Sequence, residues 1–174
     1  MGLFSKLFGK KENANLPIEY INAIACNKEF DSLLSEDKFI ARSDYKHILE
    51  QYKDIYIFFE STRKANTLSY YCKQNRLQET EIKKFLLYYE DIKDLEKGSA
   101  LFTEHNDAFV KNHLQSEKSY LDKILYEVDS KILLDEEQRK VILSDEDYTL
   151  IIAGAGAGKT TTVAAKVRYL VEKK

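Results

Sequence analysis

From Ile18 to Lys97 the sequence contains neither glycine nor proline. These are the two strongest helix breakers, so such a stretch can run as long helices with few forced interruptions. The apolar spacing agrees. A first helix is expected over residues 18–34, opened by Pro17 near its first turn, where the missing N–H has no helical partner to lose. Ser35, Glu36 and Asp37 read as a turn. Tyr45, Ile48, Tyr52, Ile55 and Phe59 are spaced 3, 4, 3, 4, a seam within a long helix predicted from about Asp44 to Asn75. Ile82, Phe85, Leu86, Tyr89 and Ile92 make a second apolar face ending near Gly98. A third helix is predicted from about Ser99 to Val128, with Val110, Leu114, Leu121, Ile124 and Val128 on neighbouring rows. Three such faces can bury one another as a helical bundle or long hairpin. The 12 tyrosines suit half-buried seams whose hydroxyls reach water. A stacking platform for single strands would interleave them with Arg and Lys, but acids are equally common here.

Residues 1–15 form an amphipathic, basic segment. Leu3, Phe4, Leu7 and Phe8 would share one face of a short helix, with Lys6, Lys10 and Lys11 supplying charge. That suits a weak membrane or protein contact through residues 3–8, although so short a face buries little area. The apolar stretch after Met1 is too short and too interrupted for a signal peptide, and Lys6 stands where a myristoylation pattern needs Ser or Thr. No run of about 18 apolar residues is present, so no transmembrane helix is expected. With 44% hydrophobic and 32% charged residues, the chain is not of the disordered class. Its net charge of −2 excludes nucleic-acid binding by an overall basic excess, so DNA contact would need a local patch or residues outside this sequence. Cys26 and Cys72 lack metal-ligand spacing and read as free thiols of a cytoplasmic protein.

The composition changes near residue 130. Asp135 is a plausible N-cap for a short helix carrying Glu136, Glu137, Gln138 and Arg139, with acids in the first turn where the helix dipole favours them. Ser144 to Asp147 read as a turn. Thr149, Leu150, Ile151, Ile152 and Ala153 form a short apolar run that suits a strand buried on both faces of a parallel sheet. A glycine-rich loop follows, then a helix from about Lys159 to Glu172.

That loop, Ala153-Gly154-Ala155-Gly156-Ala157-Gly158-Lys159-Thr160, fits the phosphate-binding pattern G-x-x-x-x-G-K-[ST] except that Ala153 replaces the first glycine. The chemistry needs glycines because the backbone curls around the phosphates, and a Cβ at Gly156 or Gly158 would crowd that path. Amides from Gly156 to Thr160 would form an anion nest at a helix N-terminus. Lys159 would place its ammonium between the β- and γ-phosphates of ATP, and Thr160 would hold Mg²⁺ through its hydroxyl. Thr161 completes the set of cofactor-binding residues.

Alanine at the first loop position, with Gln138 lying 21 residues ahead of Lys159 in the stretch Leu134-Asp135-Glu136-Glu137-Gln138, resembles superfamily 1 (UvrD/Rep-like) DNA helicases. The resemblance implies a RecA-like α/β motor domain and that the Gln138 amide reads the adenine edge, a pairing its donor and acceptor allow. A narrower resemblance, to DNA helicase IV-type proteins, rests on His105-Asn106-Asp107-Ala108-Phe109-Val110, on Ser144-Asp145-Glu146-Asp147 and on Tyr169-Leu170. His105 has no ligand partner at metal spacing and reads as a packing or hydrogen-bonding residue. The expected organisation is therefore an amphipathic segment at 1–15, a mainly α-helical extension over 16–129, and the first strand, loop and helix of the motor over 130–174.

The resemblance implies an ATP-dependent DNA helicase working 3′ to 5′ on single-stranded or tailed DNA. Such a motor also needs an acidic pair, phosphate-reading arginines and a second motor domain. None of these fits in the 14 residues after Thr160, so this chain alone is not expected to hydrolyse ATP at a helicase rate. Two other readings stand beside it: a different P-loop ATPase acting as a switch or clamp, and a helical interaction or membrane-associating module without activity. A lone parallel strand cannot stabilise itself, so residues 130–174 are expected to be loosely ordered or prone to association.

Overall fold

The computed structural model describes residues 16–152, 154 and 156–173. The membrane or protein contact expected of residues 3–8 lies outside them. The elements are α1 (Ile18–Ser35), α2 (Arg42–Lys64), α3 (Leu68–Asn75), α4 (Glu79–Ile92), α5 (Ala100–Ser116), α6 (Lys118–Leu121), α7 (Glu136–Leu143) and α8 (Lys159–Lys173). Among the described residues, no helix is long and apolar enough to cross a membrane.

The packing divides into two cores. The first is closed by α1, α2, α3, α4 and the start of α5. Tyr45, Ile48, Tyr52 and Phe59 of the α2 seam are buried with Phe30 of α1 and Ile82, Phe85, Leu86, Tyr89 and Ile92 of α4. Phe30 lies between the rings of Tyr88 and Phe102, with centroids 4.1 and 4.6 Å away. Stacked aromatic pairs add to what burial alone supplies. Several buried tyrosines keep hydroxyl partners. Tyr89 donates to the Leu49 carbonyl at 2.9 Å, and Tyr52 donates to Glu29 at 2.5 Å. Cys26 and Cys72 are free and buried, and burial pushes the Cys26 thiol up to about 12.

The second core joins Leu121, Ile124 and Leu125 to Leu134, Ile142 and Leu143, and to Ala165 and Tyr169 of α8, with Val110 and Leu114 of α5 packed against it. Two connections tie the cores together. Asn106 of α5 clamps the segment between α1 and α2, accepting from the Ile40 N–H at 2.8 Å and donating to the Ile40 carbonyl at 2.9 Å. His105 bonds the Lys38 carbonyl at 2.9 Å, and Phe109 meets Phe39 edge-on. The His-Asn-x-x-Phe stretch is thus a set of packing and hydrogen-bonding groups. The second connection is the turn after α7. Asp147 accepts from the Ser43 N–H at 2.8 Å and from its hydroxyl at 2.5 Å, while Glu146 accepts from the Arg42 N–H at 3.1 Å. Two carboxylates from a distant turn therefore satisfy first-turn amides of α2, which the helix itself leaves open.

Three sequence expectations are corrected. The helix predicted over 44–75 breaks after Lys64, because Asn66 takes a left-handed φ of 56° and does what a glycine would do. The helix predicted over 99–128 stops at Ser116. At this break Glu117 turns toward α8, accepting from the Tyr169 hydroxyl at 3.1 Å and pairing with Lys173 at 3.3 Å. Val128, expected on a buried row, is exposed. Finally, no strand forms among the described residues, so the sheet of an α/β motor is absent from them. Leu150 and Ile152 are 83% and 87% exposed. A parallel strand needs neighbours for its backbone groups, and the described chain offers it none.

Candidate nucleotide site

Asp135 starts α7 as expected from its short polar side chain, accepting from the Gln138 N–H at 2.8 Å. Gln138 answers, its side-chain Oε1 accepting from the Asp135 N–H at 2.9 Å, so the two close a capping box. Arg139 holds the helix to the preceding loop through the Leu134 carbonyl at 2.9 Å and an ion pair with Asp122 at 2.7 Å. The other face buries Ile142 and Leu143 against α8.

The loop leads directly into α8. Gly156 and Gly158 have φ of 79° and 74°, values that L side chains rarely adopt. At Gly158 space adds a second demand, since a Cβ there would sit 2.5 Å from Gln138 Nε2. Lys159 turns back across the loop and donates from Nζ to the Gly154 carbonyl at 2.7 Å. The helical ladder begins with the Thr162 N–H, which donates to the Gly158 carbonyl at 2.8 Å; the Thr162 hydroxyl donates to the same carbonyl at 3.0 Å. The amides ahead of Thr162 lie at the helix end where anions are favoured. Thr160 is exposed and Thr161 half-buried in the first turn. Ala153 and Ala155 lie outside the described residues.

Gln138 reaches the loop. Its Nε2 donates to the Ala157 carbonyl at 3.4 Å, a long contact. Gln138 and the loop residues 154 and 156–160, distant in sequence, thus share one end of the α7–α8 pair. Both ends of the Gln138 amide are engaged by the protein itself, so a base edge would have to replace at least the Ala157 contact.

Sequence reasoning missed Lys166. It stands two turns after Lys159 on α8 and donates from Nζ to the Ile142 carbonyl at 2.9 Å and to the Ser144 carbonyl. Burial depresses it to about 8. A signal was present, because Thr162, Lys166 and Tyr169 follow helical spacing on the inward face of α8. Glu146 and Asp147 were read from sequence only as part of a turn and of the resemblance, and their contacts across 104 residues carry no local signal. Among the described residues, no cluster of three or more His, Cys, Asp or Glu side chains could hold a metal ion.

Residues 134–174 match the family model described as the UvrD/REP helicase N-terminal domain. The matched stretch takes in α7, the loop and α8. The chain is also 50% identical, over 40 residues, to the ATP-dependent DNA helicase srs2 of Schizosaccharomyces pombe. Those residues are 23% of this chain and 4% of that relative, so only a small part of the relative's length is spanned. No solved structure matches. The carboxyl-terminal quarter of the chain is therefore similar to a UvrD-like superfamily 1 helicase, and the similarity coincides with the loop and the helices that flank it.

Proposed function

We propose that residues 134–173 are the ATP-binding front of an ATP-dependent DNA helicase, and that α1–α6 are a helical extension of the DNA helicase IV type. The observation that carries this is the Gly158-Lys159-Thr160 turn at the N-terminus of α8 with the Gln138 amide resting on it, inside the stretch similar to UvrD-like helicases. Left-handed glycines at 156 and 158, and an ammonium folded over the loop, are the residue types that a polyphosphate requires.

In this reading Lys159 exchanges the Gly154 carbonyl for the β- and γ-phosphates, a stronger, charge-assisted partner. The backbone of Gly154, Ala155, Gly156, Ala157 and Gly158 wraps the anion, with Ala153 leading in and Thr161 completing the first turn. Thr160 holds Mg²⁺ through its hydroxyl, and Gln138 reads adenine. Bound Mg²⁺ would neutralise charge on the phosphates. In the intact protein the loop would serve a motor moving 3′ to 5′ on single-stranded or tailed DNA.

The test is binding of a fluorescent ATP analogue, with Mg²⁺, to the wild-type chain and to Lys159→Ala. Loss of the lysine is expected to weaken binding by at least about tenfold, the scale of one charge-assisted bond. Equal binding by the two proteins would overturn the reading, as would no binding by the wild type.

A further inference from the structure

We propose that Lys166 is a positioning residue of the nucleotide site: it closes the carboxyl-terminal end of α7 onto α8 and thereby sets where Gln138, at the other end of α7, meets the loop. The inference rests on the nucleotide reading above but adds a residue and a mechanism to it.

α7 has only eight residues. A helix that short does not hold itself, and its orientation is set by what ties it at each end. At the amino end Arg139 ties α7 to the Leu134 carbonyl and to Asp122, but the tie to the loop is Gln138 on the Ala157 carbonyl, at 3.4 Å too weak to fix that contact alone. At the carboxyl end, Lys166 meets two carbonyls, those of Ile142 and Ser144. Helix ends leave such carbonyls open, and a cation satisfies both their hydrogen bonding and the dipole. Lys166 and Lys159 belong to one continuous helix, separated by about 10 Å of rise. The lysine that faces the loop and the lysine that grips α7 therefore move as one body. If the grip is lost, α7 can pivot about its Arg139 anchor and its Ile142 and Leu143 contacts, and Gln138 leaves the loop.

A stability role alone does not call for a lysine here. Half-burying an ammonium loses hydration, which the two carbonyls only partly replace. Methionine has similar length, fills irregular space and carries no charge to desolvate. A site selected only for packing would be served at least as well by methionine. What methionine cannot do is hold two carbonyls in register.

The experiment compares the wild-type chain, Lys166→Met and Lys166→Arg, with two readouts. One is the side-chain amide resonances of Gln138, assigned with Gln138→Ala. The other is affinity for a fluorescent ADP analogue with Mg²⁺. Lys166→Met is expected to keep the backbone resonances of α8 and to melt no lower than the wild type. Its Gln138 side-chain signals should move to the position of a free glutamine, and its nucleotide affinity should fall about tenfold, the scale of one charged hydrogen bond. Lys166→Arg should restore both. The proposal is overturned if Gln138 signals stay in place in a folded Lys166→Met, or if they are lost only together with α8 and arginine restores neither readout. If the wild type binds no nucleotide, the nucleotide reading fails, and the Gln138 resonances alone still decide whether Lys166 positions it.

Discussion

The two cores are built from the same kind of helix but differ in completeness. In the first, Phe30, Phe59, Phe85, Ile48, Ile82 and Ile92 are all fully buried, and the faces of α1, α2 and α4 are covered by one another. In the second, Ile142, Leu143, Ala165 and Tyr169 are buried on one side of the α7–α8 pair, while the other side stays open. Val163, Val167 and Val171 repeat every four residues along α8 and are 51%, 56% and 77% exposed, and Leu150 and Ile152 ahead of the loop are exposed as well. An apolar stripe at that spacing belongs to a helix that packs on two sides. The apolar faces of the first region are covered by one another, whereas the second leaves part of its apolar surface uncovered.

The sharpest way to break this contrast is to cut into the closed core. Phe85→Ala should cost roughly 3 to 5 kcal/mol, from lost burial and the cavity left among well-packed rings. Urea unfolding followed by far-ultraviolet circular dichroism would measure it, and a cost under about 1 kcal/mol would show that this core is not closed. The next effect in size tests the connection between the regions. Asn106→Leu removes both partners of the Ile40 backbone and should cost about 1 to 3 kcal/mol, the penalty of stranding a buried polar group. Asp147→Ala strips a cap from α2 and should cost about 1 kcal/mol. If the regions are coupled through these contacts, either variant should broaden one unfolding transition toward two. A single sharp transition in both variants would mean that the coupling lies elsewhere.

How much of this was legible depended on whether the signal was local. The start of α1 follows from Pro17, the start of α7 from Asp135, and the start of α8 from the glycines and the Lys-Thr pair. The buried faces of α2 and α4 follow from their spacing. The break at Asn66 was hidden because the residue that adopts the left-handed conformation is not glycine, and Arg76 repeats the lesson with a φ of 52°. The end of α5 at Ser116 was hidden because Glu117 turns there toward partners more than fifty residues later. Residues 149–152 have a strand-like pattern but form no strand, since a parallel strand draws its stability from neighbours and its own residues do not supply it. In the site, Gln138 and Lys159 could be linked through a resemblance; Lys166 needed the sight of the two carbonyls at the end of α7.

Lys166 also gives a pH signature that separates the two regions. Its ordinary value is 10.5, and burial lowers it to about 8 in the folded chain. Between those values the unfolded chain holds a proton that the folded chain has released, so raising the pH across this window favours folding. Below about 8 both states are protonated and the contribution is constant. Tyrosines also titrate near the top of the window, so the quantity to follow is the difference in Tm between the wild type and Lys166→Met. That difference should shift in favour of the wild type as pH rises from about 8 toward 10.5. A flat difference would show that the ammonium is as well solvated folded as unfolded.

The smallest effect bears on the open side. Val167→Gln changes a side chain that is 56% exposed and is not among the buried residues of either core. In this chain it should alter stability by no more than about 0.5 kcal/mol, as surface changes do. The stripe is a surface so long as nothing lies on it, and no buried area is lost with the valine. The same substitution should lower self-association, since a contiguous exposed apolar face is what brings copies together. Sedimentation at several concentrations would show this, alongside hydrogen exchange across 149–152, where fast exchange is expected. A cost of about 2 kcal/mol or more, as a buried site would show, together with strong protection of those amides, would mean that the second region is closed after all, and the contrast between the two cores would disappear. An unchanged stability with reduced association would instead fix the open side of α8 as the place where this region's interior is unfinished.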